Sequence, residues 1–315
     1  MLSQKIKNNL TPIKFFKNQK IGLAVSGGVD SMVMLDTFCR ISREYNLKLY
    51  VMHYNHKWRK ESFRDRALVR KYCKEKKIKF LYTESKREIV KDEELAREQR
   101  YAFFKIQAKR FSLKIVCTAH HRDDQLETIL FRLARGTGPN GLSPIKEFRE
   151  LTGRIKIFRP LLNVWKKDIL NYAVKKKISY IEDKTNLEVI YKRNLVRRKI
   201  LPLLKKINPE AENNILAFSD LAYSQHVALS NYFSILLKKI KIGTSLILNR
   251  NKFLKLDCYT QTAFIYWFFT IYGIKGAVSK VHVIRDAIIN QKKIDLSKKY
   301  IMNVVKDQII FDLKK

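Results

Sequence analysis

Four short apolar runs, IGLAV at 21–25, LKLYVMHY at 47–54, IKFLYTE at 78–84 and LKIVCTAH at 113–120, alternate with stretches of helical periodicity. Apolar runs of this length suit strands covered on both faces, and strands joined through helices pair in parallel. The pattern therefore predicts an α/β fold, a mostly parallel sheet with helices on both faces. In the first helical stretch Val33, Met34, Phe38 and Ile41 share a face, and in the second Phe63, Ala67, Leu68 and Tyr72 recur, with Val69 and Cys73 alongside. Leu95, Ala96, Phe103 and Ile106 define the expected buried stripe over 93–110, and Leu126, Ile129, Leu130 and Leu133 that of the next helix.

Open sheets of this kind bind ligands beyond the carboxyl ends of their strands, where Ser26, His53 and His120 fall. The first strand turns directly into Ser26-Gly27-Gly28-Val29-Asp30-Ser31 and a helix. Two glycines let the backbone fold tightly and bring N–H groups to an anion, Ser26 and Ser31 can donate, and the helix start adds a favourable field. Asp30 repels phosphate, so its natural task is to hold a Mg²⁺ ion that bridges phosphates. The loop has neither the Lys-Ser/Thr ending of a Walker A motif nor dinucleotide spacing. A capped glycine turn would use the same residues, but the complete strand–turn–helix setting favours phosphate.

AHHRDDQLET, 119–128, puts His120 and His121 after a strand and Asp123, Asp124 and Glu127 at a helix start. Asp124 and Glu127 are three apart and share a face, ready for Mg²⁺ or a cationic substrate, while Asp123 suits simple capping. LAREQRY, 95–101, supplies Arg97 and Arg100. His53 and His56 are three apart but lack the further ligands zinc requires. The loop Arg135-Gly136-Thr137-Gly138 can order phosphate through backbone N–H groups and Arg135, although such loops are common connectors. The basic stretch Lys192–Lys199 suits an RNA backbone or a solvated helix face equally.

Pro202 and Pro209 bracket a connection between two expected domains, 1–205 and 206–315. The second reads as mostly helical over 210–240, 260–272 and 279–291, with short strands in 244–256 and an undecided tail, VVKDQIIFDLKK. Its most apolar window, AFIYWFFTIYGI at 263–274, is too short for a bilayer and reads as a buried helix. No leader-like apolar segment opens the chain, and Cys39, Cys73, Cys117 and Cys258 show no metal-finger or redox spacing. A cytoplasmic protein without a membrane partner is expected. Lys and Arg total 65 against 29 acidic residues, a formal charge of +36 that is costly without an anionic partner, for which nucleic acid is the first candidate.

SGGVDS resembles the signature of the N-type ATP pyrophosphatases, the PP-loop superfamily. HYNHKWR (53–59), LAREQRY, AHHRDDQLET, RGTG (135–138), GL (141–142), RPLL (159–162) and EDKTNLEVIYKRNLVR (182–197) follow the order of one family in it, the tRNA(Ile)-lysidine synthases. The resemblance covers roughly residues 20–200. It implies ATP and Mg²⁺ as cofactors, and tRNA(Ile) with a CAU anticodon and free L-lysine as substrates. The C2 oxygen of the wobble cytidine would be adenylated and then displaced by lysine. By the same resemblance Asp124 and Glu127 would take the lysine amino groups, and Arg97 or Arg100 would lie near its carboxylate or near phosphate. The segment from His53 through His56 to Arg59 would lie beside nucleotide and RNA, where a histidine could polarise the activated oxygen or aid proton transfer. A tRNA thiolase sharing the ATP step is the nearest alternative, although no CxxC is present; a basic RNA-binding module without catalysis is the other. Apolar faces at 215–235 and 260–272 serve equally as core or as a homodimer interface.

Overall fold

The computed structural model describes residues 17–58, 61–85, 93–182, 195–243, 246–274, 277–297 and 299–313. Arg59 and residues 183–194, which include Asp183, Asn186, Lys192, Arg193 and Asn194, lie outside the described residues. The chain forms two compact units, one from residues 1–131 and 144–216 and the other from 132–143 and 217–315.

In the first unit the elements run β1 (Lys20–Ala24), α1 (Val29–Ile41), β2 (Lys48–Asn55), α2 (Ser62–Glu75), β3 (Lys79–Glu84), α3 (Glu93–Arg110), β4 (Ile115–Cys117) and α4 (Arg122–Ala134). A hairpin of β5 (Phe148–Thr152) and β6 (Ile155–Phe158) follows, then α5 (Lys166–Lys176), a π-helical turn over Val196–Ile200 and α6 (Leu201–Ile207). The sheet order is β3-β2-β1-β4-β6-β5, parallel except at the β5–β6 edge. Strand order reverses between β1 and β4, which places a ligand crevice at their carboxyl ends.

Alternation along the strands divides two cores. Ile21, Leu23, Leu49, Val51, Ile115, Cys117 and Phe158 face α1, α2 and α5, whereas Tyr50, Met52, Val116 and Ile157 face α3. Fully buried side chains such as Phe38, Phe104 and Phe158 each contribute roughly 1.5–3 kcal/mol.

The expected helices form, but some expected burial does not. Phe63 is 55% exposed, and Asp65, Val69 and Cys73 are the buried positions of α2. On α3, Leu95 and Ile106 are exposed while Ala96, Tyr101, Phe103, Phe104 and Ala108 carry the packing; Leu133 on α4 is also exposed. Helical spacing identified which positions share a face, but a charged amphipathic helix offers more than one face of comparable spacing.

The second unit joins helices to an antiparallel sheet. The long helix α7 (Ala211–Ile240), which starts in the first unit, leads to β7 (Lys241–Ile242), β8 (Ile247–Asn249) and α8 (Arg250–Leu254). Then come α9 (Cys258–Ile271), α10 (Ala277–Ile289), β9 (Ile294–Asp295), β10 (Tyr300–Val305) and β11 (Gln308–Leu313). The undecided tail is the β10–β11 hairpin, central to the order β7-β8-β11-β10-β9. Phe264, Trp267, Phe268 and Phe269 of α9 pack with Phe233 and Phe311 in its core, so the apolar window is a buried helix as expected. Among the described residues no helix is long and apolar enough to cross a membrane.

Candidate functional site

The turn after β1 is held by its own serine. Ser26 N–H and Gly27 N–H donate to Ser31 Oγ at 3.1 and 3.2 Å, and Ser31 Oγ donates to Gly28 O at 2.9 Å. Gly27 has φ 101° and lies against Asp65, so a β-carbon there would meet both backbone strain and a neighbour. With those two amides committed to Ser31, the N–H groups that remain for an anion are those opening α1 from its N-cap Gly28, which have no intrahelical acceptor. Ser26 and Ser31 therefore shape the loop, and Val29 and Asp30 begin its anion-facing helix.

Asp30 meets a partner that the motifs did not indicate. Lys166 Nζ, from the first residue of α5, donates to Asp30 Oδ1 at 2.5 Å. Lys166 N–H in turn donates to Asp123 Oδ2 at 2.8 Å, so Asp123 caps α5 rather than its own helix. Asp124 accepts from His121 N–H at 2.8 Å, the reach-back of a capping box at the start of α4. His121 is 3% exposed and sits among all three acids, 3.8 Å from Asp30, 3.5 Å from Asp123 and 3.7 Å from Asp124. Burial opposes its protonation, but the carboxylates of Asp123, Asp124 and Asp30 together raise its pKa. One turn further along, Glu127 accepts from Arg197 Nε at 2.6 Å. Burial raises the Glu127 pKa in spite of that guanidinium.

His120 points into the opposite electrostatic environment. Burial, then Arg159, Arg100 and Arg97, push it down to about 3, and its Nδ1 lies 2.9 Å from Thr118 Oγ1. Two neighbouring histidines thus divide the strand ends into an acidic side and a basic side. His53 is 2% exposed, its Nδ1 donates to Val25 O at 2.8 Å, and its ring stacks on Tyr82. It ties β2 to the residue before Ser26. Burial, Arg100 and His53 lower His56 to about 4. Arg97 and Arg100 lie on the basic side, over the ring of Tyr101.

The Arg135-Gly136-Thr137-Gly138 loop belongs to the second unit. Arg135 and Gly136 are exposed, whereas a β-carbon on Gly138 would overlap the Tyr266 hydroxyl. The sequence assigns no role to Lys166, which falls in a stretch of helical pattern, or to Arg149, and Arg159 enters it only as the first residue of RPLL at the end of the apolar run 155–162.

A glycine loop at the switch point of this sheet, opening a helix with a metal-capable carboxylate, defines a nucleotide-binding PP-loop protein, and the PP-loop domain family model matches residues 1–204. A tRNA(Ile)-lysidine synthase of Petrotoga mobilis is 37% identical over 225 residues, covering 70% of this chain and 71% of that protein. One of Francisella tularensis subsp. holarctica is 30% identical over 308 residues, covering 96% of this chain and 75% of its own length. One of Thermotoga maritima is 36% identical over 208 residues, and the chain spans 48% of that relative's length. The chain belongs to the tRNA(Ile)-lysidine synthase family of PP-loop proteins. The U34-tRNA thiolase NcsA of Methanococcus maripaludis, solved with its [4Fe-4S] cluster, superposes with a TM-score of 0.59 at 15% identity, covering 71% of this chain and 78% of that one. At that identity the likeness concerns the fold.

Proposed function

We propose that this chain uses ATP to activate the C2 oxygen of the wobble cytidine in tRNA(Ile) with a CAU anticodon, and joins free lysine to that carbon. The products are lysidine, AMP and diphosphate. One observation carries the reading: an anion-ready helix start and the carboxylates Asp30, Asp123, Asp124 and Glu127 meet at one end of the sheet. One substrate is a polyanion and another carries two ammonium groups, so both kinds of group are needed. The family and the names of its members support the same chemistry.

In this reading the C2 oxygen bonds to the α-phosphorus, and diphosphate leaves as the α–β bridge breaks. The ε-amine, relieved of its proton, then bonds to C2, and AMP departs with the oxygen. N–H groups at the start of α1 stabilise phosphate charge as it develops. Asp30 would hold Mg²⁺, since a hard cation is commonly held by one or two carboxylates and phosphate oxygens, and this carboxylate already accepts a cation. Bound by Asp30, Mg²⁺ would supply neutralising charge for the phosphates. Asp124 and Glu127 receive the lysine amino groups, with Arg197 giving way, and the raised pKa of Glu127 suits it to accept the proton. His53 acts by holding Val25, and so the loop, in place.

Thiol chemistry is disfavoured by the cysteines themselves. Burial pushes Cys39 up to about 11 and Cys73 to about 12, and raises Cys117 as well; these three are poor thiolates at neutral pH. Labelled lysine should enter tRNA only with ATP and Mg²⁺, and not when the wobble cytidine is replaced. Incorporation of labelled sulfur instead would sink the proposal.

A further inference from the structure

The basic side of the crevice holds more charge than the reaction above uses. The guanidiniums of Arg97 and Arg149 each lie 5.0 Å from the ring centre of Tyr101, and that of Arg100 lies 5.8 Å from it. Arg159, at the end of β6, is 3% exposed, donates to Lys146 O at 2.5 Å and leaves its Nε buried without an acceptor. Among the described residues, none of these four arginines forms an ion pair with a carboxylate. Burial is the largest influence on Arg159 and Arg100, and it lowers the pKa of both; neighbouring arginines lower them further. Stacking against one aromatic face offsets only about 0.5–2 kcal/mol per cation, well short of neutralising four like charges. Such a cluster is stable in a fold when an anion occupies it.

We infer that Arg97, Arg100, Arg149 and Arg159 form a second anion site around Tyr101, and that its occupant is the phosphodiester backbone of the RNA substrate. Three features favour a backbone over a small anion. Arg149 is exposed on β5, the edge strand, so the cluster opens at the surface. The basic surface extends to exposed Arg154 at the turn of the same hairpin, a second point of contact for a chain of phosphates. The site lies beside Tyr101 in the α3 core, whereas the Asp30 loop belongs to the helix packed on the other sheet face. Phosphate contacts set the register of a nucleic acid without reading its bases. Here they would hold the strand while the target base enters the crevice between His120 and His121.

This inference rests on the reading that the substrate is RNA. The test measures binding of a fluorescent anticodon stem-loop across a KCl titration, with ATP binding and the KM for lysine measured in parallel. Arg149→Gln should weaken RNA binding about 5–10-fold and reduce the log–log salt slope by roughly 1. Arg159→Lys keeps the charge but loses the planar fork, and should weaken binding several-fold with the slope nearly unchanged. Arg43→Gln removes an equal charge beyond the far end of α1, and should cost less than about twofold, the long-range share alone. ATP affinity should move less than twofold in Arg149→Gln. The site is refuted if Arg149→Gln binds RNA no worse than Arg43→Gln. It is also refuted if ATP affinity falls in step, or if only the KM for lysine rises, which would assign the cluster to the amino-acid carboxylate. Should wild-type protein show these RNA effects yet form no lysidine, the proposed reaction fails and this site stands. No RNA binding by wild type overturns both.

Discussion

Lys166 and Asp30 form an ion pair of 2.5 Å across 136 positions of sequence, joining the start of α5 to the phosphate loop. The ammonium neutralises Asp30 and, in the proposed reaction, would meet the incoming polyanion. Both groups are about one-third exposed or less, 31% and 27%, so the pair is partly screened and able to exchange partners. Lys166→Gln is expected to raise the ATP concentration for half-maximal ATP–pyrophosphate exchange about tenfold, roughly one charge-assisted hydrogen bond. Asp30→Asn should reduce exchange by on the order of 10²-fold. Wild-type exchange in Lys166→Gln would remove Lys166 from nucleotide binding.

Glu127 and Arg197 provide a test that separates the two half-reactions. Glu127→Gln keeps the volume but cannot accept a proton or fully pair an ammonium. We expect near-normal pyrophosphate exchange with tRNA present, and transfer of labelled lysine reduced by about 10²-fold. Equal loss in both assays would contradict the assignment. Arg197→Met leaves Glu127, whose side chain is 6% exposed, without its cation. Because Arg197 is itself 39% exposed, the stability cost is discounted to about 1–2 kcal/mol, readable in urea unfolding.

Acid should destabilise the first unit early. His56 and His120 are held down to about 4 and about 3, mainly by burial, against an unfolded value near 6.5. Their folded pKa values are depressed, so below pH ~6.5 the unfolded chain binds protons that the folded chain refuses. Stability is full above that pH and falls as pH drops toward 4, by up to about 1.4 kcal/mol per pH unit for each histidine. Denaturant unfolding from pH 7.5 to 5 measures the slope. His120→Asn should flatten it, and an unchanged slope would show that His120 titrates normally.

Asp36 should matter for stability and little for chemistry. It is 7% exposed and accepts from Arg40 Nε at 2.7 Å and from the hydroxyls of Tyr72 and Tyr172, each at 3.1 Å. This network joins α1 to α2 and α5. Asp36→Ala strands two tyrosine hydroxyls and is expected to cost about 2–4 kcal/mol. Calorimetry should show the loss, while the affinity of the folded fraction for ATP stays within about twofold.

Much of the first unit is legible from its residues because its strands are covered on both faces and so read as plain apolar runs. β5 is not, since FRELT lies on an edge and carries polar side chains. In the second unit, β7 and β9 have two residues each, too few to show a period. The loop Ser26–Ser31 is likewise legible, because a phosphate-binding turn is a local structure whose residues are neighbours in the chain. Local order also announces the run of acids after β4.

Pairing across long separations is different in kind. Nothing near Asp30 in the chain points to Lys166, and nothing near Tyr101 points to Arg149 or Arg159. A helix start or a glycine turn is specified by contacts a few residues apart, so composition and spacing suffice to place it. Charges brought together from α3, β5 and β6, or from α1 and α5, become neighbours only when the sheet sets its strand order and the helices pack on its faces. Burial then turns ordinary arginines and histidines into groups with altered proton affinity, a property of surroundings that adjacent letters do not carry.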